Sequence, residues 1–256
     1  MTGSINRREK FYHEQYIFGK KYIAHFLTME PEQFSNLSIL EIGGGEFGLL
    51  KAFHEYGAHC IGIDISEERI RYAQERHKNS DIQFYVADIC DFESISKNHR
   101  KFDIIIMRDV LEHIHDKTAA LHVCSDLLNR GGQLFISFPP IMSPFGGHQQ
   151  NLRYGKFVPY VHLLPNILYM RILRLIGATE KSIKALLTTK SAGITIRTMK
   201  QMLKSLPLRT ANFSCYLIRP DYEIRFHLKQ RRTIFNKIPI LNEFITTGCL
   251  ITLRNE

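Results

Sequence analysis

Cysteine is sparse in this chain and badly placed for cross-linking. Cys60, Cys90, Cys124, Cys215 and Cys249 are odd in number, lie far apart and form no CxxC pair. That argues against a disulfide framework and a zinc ribbon, and it predicts a reducing, cytoplasmic setting. No uninterrupted apolar run approaches the ~20 residues of a membrane-spanning helix. The charged opening, MTGSINRREKF, has no apolar stretch behind it, so no signal peptide is expected. Internal repeats and low-complexity tracts are also missing, which removes solenoid and array architectures.

What remains is ordinary globular material. The 256 residues are 44% apolar and 23% charged, enough to bury a full core without cross-links. The net charge of +9 is unevenly spread. Residues 1–36 carry net +1, residues 37–137 carry −5 and residues 138–256 carry +13. An acidic part and a basic part should meet different partners. The basic part is either a solvated surface or a face for an anionic substrate, an anionic membrane or a nucleic acid.

The apolar pattern divides the chain. Residues 5–28 read as helical. From Leu37 short apolar runs alternate with amphipathic stretches. Strands are predicted at Leu37–Ile42, His59–Asp64, Ile82–Ala87, Phe102–Met107 and Gln133–Phe138. Helices are predicted between them at Phe47–Tyr56, Glu67–His77 and Thr118–Leu128, the last stopped by Gly131-Gly132. This alternation predicts a parallel sheet built from βαβ units. Ile104-Ile105-Ile106 suits a central strand buried on both faces. After Phe138 the rhythm breaks, so residues 139–193 are read as an insertion. A helix near Thr195–Leu206 and strands near Asn212–Ile218 and Gly248–Leu253 follow.

Ligands of an open parallel sheet bind beyond the carboxyl ends of its strands. Those ends read Glu41-Ile42-Gly43-Gly44-Gly45-Glu46-Phe47-Gly48, then Asp64, then Ala87-Asp88-Ile89, then Arg108-Asp109-Val110-Leu111-Glu112-His113. Gly43, Gly45 and Gly48 satisfy GxGxxG, with Asp64 about 20 residues on. Alone, that pattern also fits a nicotinamide-dependent oxidoreductase. Glu41 and Asp88 shift the balance. Three converging carboxylates would repel a pyrophosphate and suit a cationic ligand that carries an amino group, a ribose and an adenine.

On these residues the chain resembles the class I S-adenosylmethionine-dependent methyltransferases of the small-molecule type. The resemblance covers residues 37–138, about 40% of the chain. Glu41-Ile-Gly43-Gly44-Gly45 is similar to the family's first motif. Asp64, with Ile65 after it, matches the ribose-binding acid, and Asp88-Ile89 the adenine-flanking pair. Arg108–His113 resembles the segment after strand four, and Leu127-Leu-Asn-Arg-Gly-Gly132 the signature before strand five. The resemblance implies an α/β, Rossmann-like, seven-stranded sheet of order 3-2-1-4-5-7-6 with the last strand antiparallel. It implies S-adenosylmethionine as cofactor, held by Glu41, Gly43, Gly44, Gly45, Asp64, Ile65, Asp88, Ile89, Arg108 and His113. Arg108 would contribute its backbone carbonyl. One departure is Phe47, which stands where the family's commonest loop has a third glycine.

The expected organisation is an N-terminal helical segment over residues 1–36 and a methyltransferase domain over 37–256. The insertion at 139–193 would cover the acceptor site. Within it, His148 is the candidate base for an oxygen acceptor. His113 and His115 have no Cys, Asp or Glu partner at ligand spacing, so no metal is expected. Pro139-Pro140 follows strand five rather than strand four, which argues against base methylation. Asn166–Ile176 is apolar nearly all round apart from Asn166, Arg171 and Arg174. Such a helix either caps the core or lies against an anionic membrane. Arg219, Arg225, Lys229, Arg231, Arg232 and Lys237 extend the positive surface. The reading is methyl transfer, preferably to oxygen, on a small hydrophobic or lipid-linked acceptor. An RNA or protein methyltransferase and a non-catalytic cofactor-binding protein of the same fold are the alternatives.

Overall fold

A computed structural model describes residues 2–91 and 101–256. The strands are β1 (Ser38–Ile42), β2 (His59–Asp64), β3 (Gln83–Val86), β4 (Phe102–Arg108), β5 (Leu128–Phe138), β6 (Arg209–Ile218), β7 (Arg231–Arg232) and β8 (Gly248–Arg254). They form one sheet of order β3-β2-β1-β4-β5-β8-β6-β7. The first five pair in parallel, and β8 runs antiparallel between β5 and β6. The expected order of seven strands is therefore present. An eighth, the two-residue β7, adds to the β6 edge through a slipped antiparallel register.

Strand composition explains this order. Ile39, Leu40 and Ile104 to Met107 are buried with almost no exposure, as strands with helices on both faces require. The helices α1 (Thr2–Phe18), α2 (Ala24–Leu27), α3 (Gly48–His54), α4 (Glu67–Arg76) and α5 (Lys117–Leu127) supply the cover around this half of the sheet. The N-terminal helical segment belongs to the same core. Phe18, Ile23 and Leu27 are fully buried in one cluster with Phe47, Phe53 and Phe135.

The predicted stop of α5 at Gly131-Gly132 is not what the chain does. The helix ends at Leu127, and both glycines lie inside β5. Gly131 takes φ +81°, a left-handed geometry that glycine adopts without steric cost. The β4 register jumps from Phe102↔Leu128 to Ile104↔Gln133 around it. Gly131 N–H donates to Asn255 O at 2.6 Å, and Asn255 N–H donates to Gly132 O at 3.0 Å. The glycines therefore form an irregularity where β5 meets the end of β8. A glycine stop and a glycine bulge share one sequence signal.

Residues 139–193 contribute no strand to the sheet. Short 3-10 turns lead into α6 (Asn166–Leu175) and α7 (Glu180–Ala192), which pack through Tyr169, Leu173, Ile183 and Leu186. The chain returns through α8 (Ile196–Leu203). Two further helices, α9 (Pro220–Phe226) and α10 (Pro239–Ile245), lie in the stretch that sequence pattern left unassigned. Glu243 of α10 accepts the N–H groups of Ile196 and Arg197 at 2.9 and 2.8 Å, capping α8 from a distance in sequence. Among the described residues no helix is long and apolar enough to cross a membrane.

Candidate functional site

The carboxyl ends of β1, β2, β3 and β4 open into one cavity of about 880 Å³. Its wall includes Gly43, Asp64, Ile65, Asp88, Ile89 and His113. Six of the ten residues expected to hold the cofactor are thus brought together.

The glycine loop after β1 is shaped by its packing. Gly43 has φ +64°, and a Cβ there would stand 2.7 Å from the Val110 side chain, so only glycine fits between the two strand ends. Gly44 and Gly45 lie on the loop but not in the cavity wall. Gln15 of α1 clamps this loop. Its Nε2 donates to Gly44 O at 2.8 Å, and its Oε1 accepts from Gly48 N–H at 2.9 Å. Nothing local in the sequence marks Gln15, whose partners lie 29 and 33 residues away.

Phe47 resolves the departure from the three-glycine loop. Its φ is +56°, and its side chain is fully buried, edge-on to Phe84 at 5.1 Å between ring centres. The ring fills the space beneath Gly44 and Gly62, where any Cβ would collide with it. Phe47 therefore supports the loop from below. Glu41 lies there too, 1% exposed. It accepts a backbone hydrogen bond from Leu50, in the first turn of α3, while its Oε2 has no partner. Burial pushes its carboxyl up to about 8, opposed by the Arg108 charge.

Asp64 is 6% exposed and ends β2. The cap of α4 is Ser66, whose hydroxyl accepts from Arg69 N–H, so Asp64 is free of that duty. Its Oδ1 accepts from Ser66 N–H at 2.9 Å, and its Oδ2 lies 3.6 Å from the half-exposed Arg69 guanidinium. Beside it Ile65 is 74% exposed on the cavity rim, a large apolar side chain with one face uncovered. Asp88 holds the next turn by accepting from Cys90 N–H at 2.9 Å, and Ile89 is buried behind it. A carboxylate between two apolar side chains, beside a loop without Cβ atoms, fits a ribose, a flat base and an extended amino-acid tail. The volume suits a ligand of that size.

Arg108 lies elsewhere. Its guanidinium turns away from the cavity, stacks over Phe18 at 4.5 Å and pairs with Asp221. Arg219 joins Asp221 at 2.7 Å and grips both oxygens of Asp109 at 2.9 and 2.7 Å. Asp109, at φ +54°, lines the cavity where Arg108 does not. Arg219 is therefore buried in an ion network, not on the expected positive surface. Arg225 is likewise taken up by Glu14 at 2.6 Å. Burial raises the carboxyls of Asp109 and Asp221, but the two guanidiniums outweigh it and hold both below the usual range.

His148 folds back onto the segment after β4. Its Nε2 lies 3.8 Å from Glu112 Oε1, and its ring meets the His113 ring edge-on at 5.2 Å. Glu112 is 1% exposed, and neither of its carboxylate oxygens has a hydrogen-bond partner. Burial, reinforced by the Asp109 charge, drives the Glu112 carboxyl well up. Burial lowers His148 to about 4. Nothing local in the sequence gives Glu112 a role. Its partner stands 36 residues away, beyond any spacing rule. His115 lines the cavity but takes no part in this cluster.

A family model described as a methyltransferase domain matches residues 12–174. The ubiquinone biosynthesis O-methyltransferase of Coxiella burnetii (strain Dugway 5J108-111) is 31% identical over 121 residues, covering 46% of this chain and 47% of that protein. The enzyme of the same name from Xylella fastidiosa (strain 9a5c) is 32% identical over 103 residues, 40% and 42% of the two chains. The match thus spans about half the length of these curated relatives or less. Among solved structures, the plantazolicin methyltransferase BpumL with a triazolic desmethylPZN analogue and SAH superposes with a TM-score of 0.56 at 14% identity, covering 100% of this chain and 89% of that one. The magnesium protoporphyrin IX methyltransferase of Synechocystis PCC 6803 with SAH gives 0.54 at 13% identity, covering 97% and 86%. At such identities these structures speak for the fold.

Proposed function

Since this chain belongs to the methyltransferase domain family, we propose that it transfers a methyl group from S-adenosylmethionine to an oxygen of a small, apolar or lipid-linked acceptor. The observation that carries the reading is the cavity at the strand ends, with Asp64 ending β2, Asp88 just past the end of neighbouring β3, and Ile65 uncovered between them and solvent. The O-methyltransferase name of the relatives supports oxygen as the acceptor atom.

S-adenosylmethionine supplies an activated methyl on a sulfonium. The chain's own task is binding and alignment. Asp64 accepts from the ribose hydroxyls, and Ile65 and Ile89 cover the base. Asp88 takes the base's edge. Gly43 to Gly45 let the backbone approach the amino-acid tail, and Glu41 fixes that loop from beneath. His113 closes the cavity on the acceptor side. In-line transfer then needs the acceptor oxygen held ~3–3.5 Å from the methyl and shielded from water. His148, beside His113, is the group positioned to receive that hydroxyl's proton.

The 139–193 insertion covers the acceptor side in this reading. Its helix α6 has two faces. Tyr169 and Leu173 pack on α7, while Ile167 and Leu175 are 65% and 86% exposed. Phe157 is also exposed, and Lys156 and Arg171 lie close in sequence. This pattern supports peripheral contact of residues 156–190 with an anionic lipid surface, from which an apolar acceptor would enter.

The direct test of the cofactor site is titration of the purified protein with S-adenosylmethionine. Asp64→Ala is expected to weaken binding about tenfold to a hundredfold, since hydrogen bonds to a charged group contribute ~1.5–3 kcal/mol. Unchanged affinity would remove Asp64 from the site.

A further inference from the structure

Cys215 of β6 and Cys249 of β8 lie directly opposite each other in the antiparallel register. Both are free thiols, and their sulfurs stand 3.7 Å apart in hydrogen-bond contact. They are 34 residues apart in sequence, so no spacing rule pairs them and only the sheet does. Opposed residues on antiparallel strands have Cα atoms about 4.5 or 5.5 Å apart, and a disulfide spans about 4.4–6.8 Å between Cα atoms. The backbone is therefore already placed for a bond, and rotation of the two side chains is enough to join the sulfurs.

The surroundings make the two thiols unequal. Asn242 of α10 donates from Nδ2 to Cys215 Sγ at 3.6 Å, while its Oδ1 accepts from the Thr246 hydroxyl at 3.2 Å. The hydrogen bond with Cys249, joined by that from Asn242 and by the Lys200 charge, brings the Cys215 thiol below its ordinary range against the effect of burial. Burial pushes the Cys249 thiol well up. Cys215 is 4% exposed and Cys249 0%. Cys215 is thus the sulfur that a reagent meets first, and the reagent must be small.

We propose that Cys215 and Cys249 are an oxidation site, a dithiol that a small hydroperoxide closes to a reversible disulfide. Cys215 gives its proton to water and its sulfur attacks a peroxide oxygen. The O–O bond breaks, hydroxide leaves and takes up a proton, and Cys215 becomes a sulfenic acid. The Cys249 sulfur then attacks the Cys215 sulfur. The S–O bond breaks, and a second water leaves with the Cys249 proton. Two thiols lose two electrons and two protons, and one hydrogen peroxide becomes two waters. A thiol reductant reverses the bond by exchange.

Helix α10 carries the change outward. Asn242 is 3% exposed, and joining the sulfurs removes the polar acceptor of its Nδ2, which is costly for a buried donor. The next residue, Glu243, caps α8, and Phe244 O accepts the Tyr160 hydroxyl of the insertion at 3.0 Å. Oxidation therefore loosens the contacts by which α10 holds α8 and the insertion. The oxidation site stands independently of the methyl-transfer reading.

The test uses full-length protein, reduced, desalted under nitrogen, treated with hydrogen peroxide and mapped as non-reduced peptides. A linked Cys215–Cys249 pair is expected, reversed by dithiothreitol, whereas oxidised glutathione is expected to leave both thiols free. In Cys249→Ser, peroxide is expected to leave a sulfenic acid on Cys215 that dimedone labels. In Cys215→Ser, Cys249 is expected to stay unlabelled. A cooperative thermal transition in each variant shows that it folds. Hydrogen exchange at the Ile196 and Arg197 amides is expected to quicken roughly fivefold in the oxidised protein. The site is overturned if Cys215 and Cys249 remain thiols while the half-buried Cys90 is oxidised, or if the linked pair forms only in urea. Dimedone on Cys249 in place of Cys215 would overturn the order of attack, and unchanged exchange at the α8 cap would overturn the route through α10.

Discussion

At Glu41 the chain keeps a carboxyl in a place that disfavours its charge. The residue is buried under the glycine loop with one oxygen unpartnered, and its acid form persists up to about pH 8. Its ordinary value is 4.5. Between those two values the native state holds a proton that the unfolded chain releases, so this contribution to stability falls as pH rises through the window. Glu41→Gln keeps an acceptor for Leu50 and removes the titration. Urea denaturation at pH 5 and pH 8 should therefore show the variant gaining on wild type as pH rises. An equal difference at both pH values would contradict the assignment. Asp64 shows the other side of the residue scale. Its position at a strand end was legible from spacing alone, and the structure gives the α4 cap to Ser66 instead. Gln15 and Glu112 were not legible. Each acts through a partner some 30 or more residues away, and side-chain type alone does not announce such a partner.

At the scale of elements, alternation of apolar runs with amphipathic stretches located the parallel strands, because a sheet covered on both faces leaves a strong local pattern. The start of β5 failed because Gly131 and Gly132 make a bulge. Helices α9 and α10 are each seven residues long, too short to establish a helical period. Arg219 was misread as surface because its partners Asp109 and Asp221 converge only when β4 and the end of β6 come together. In α6 the two arginines did mark a polar stripe, but Arg174 is drawn off to Glu180 at 2.8 Å. That leaves Arg171 beside an exposed apolar stripe of Ile167, Leu168 and Leu175. If this stripe enters a bilayer interface, replacing Ile167 and Leu175 by serine should lower binding to phosphatidylglycerol vesicles at least tenfold, since each apolar side chain contributes ~1.5–3 kcal/mol when buried. Cofactor affinity should not change. Equal vesicle sedimentation of variant and wild type would assign the stripe to another purpose.

On the scale of the whole molecule, charge and fold divide the labour. The acidic residues 37–137 supply the cavity at the strand ends, whose wall carries Asp64 and Asp88. The basic residues 138–256 supply the insertion and the second half of the sheet, including the positive and apolar surface around residues 226–241. There Ile234, Ile238 and Ile240 are exposed among Lys229, Arg231, Arg232 and Lys237. The N-terminal helix ties the two halves. It clamps the glycine loop through Gln15 and pairs with α9 through Glu14–Arg225 and Lys21–Glu223. The measurement that tests this account most directly is a transfer assay with methyl-labelled S-adenosylmethionine and a total extract of the source cells, its products partitioned into organic, aqueous and macromolecular fractions. The account predicts enzyme-dependent label in the organic phase, lost with Asp64→Ala. Label confined to the macromolecular or aqueous fractions would contradict an apolar acceptor and turn the basic half toward RNA, protein or a soluble anion.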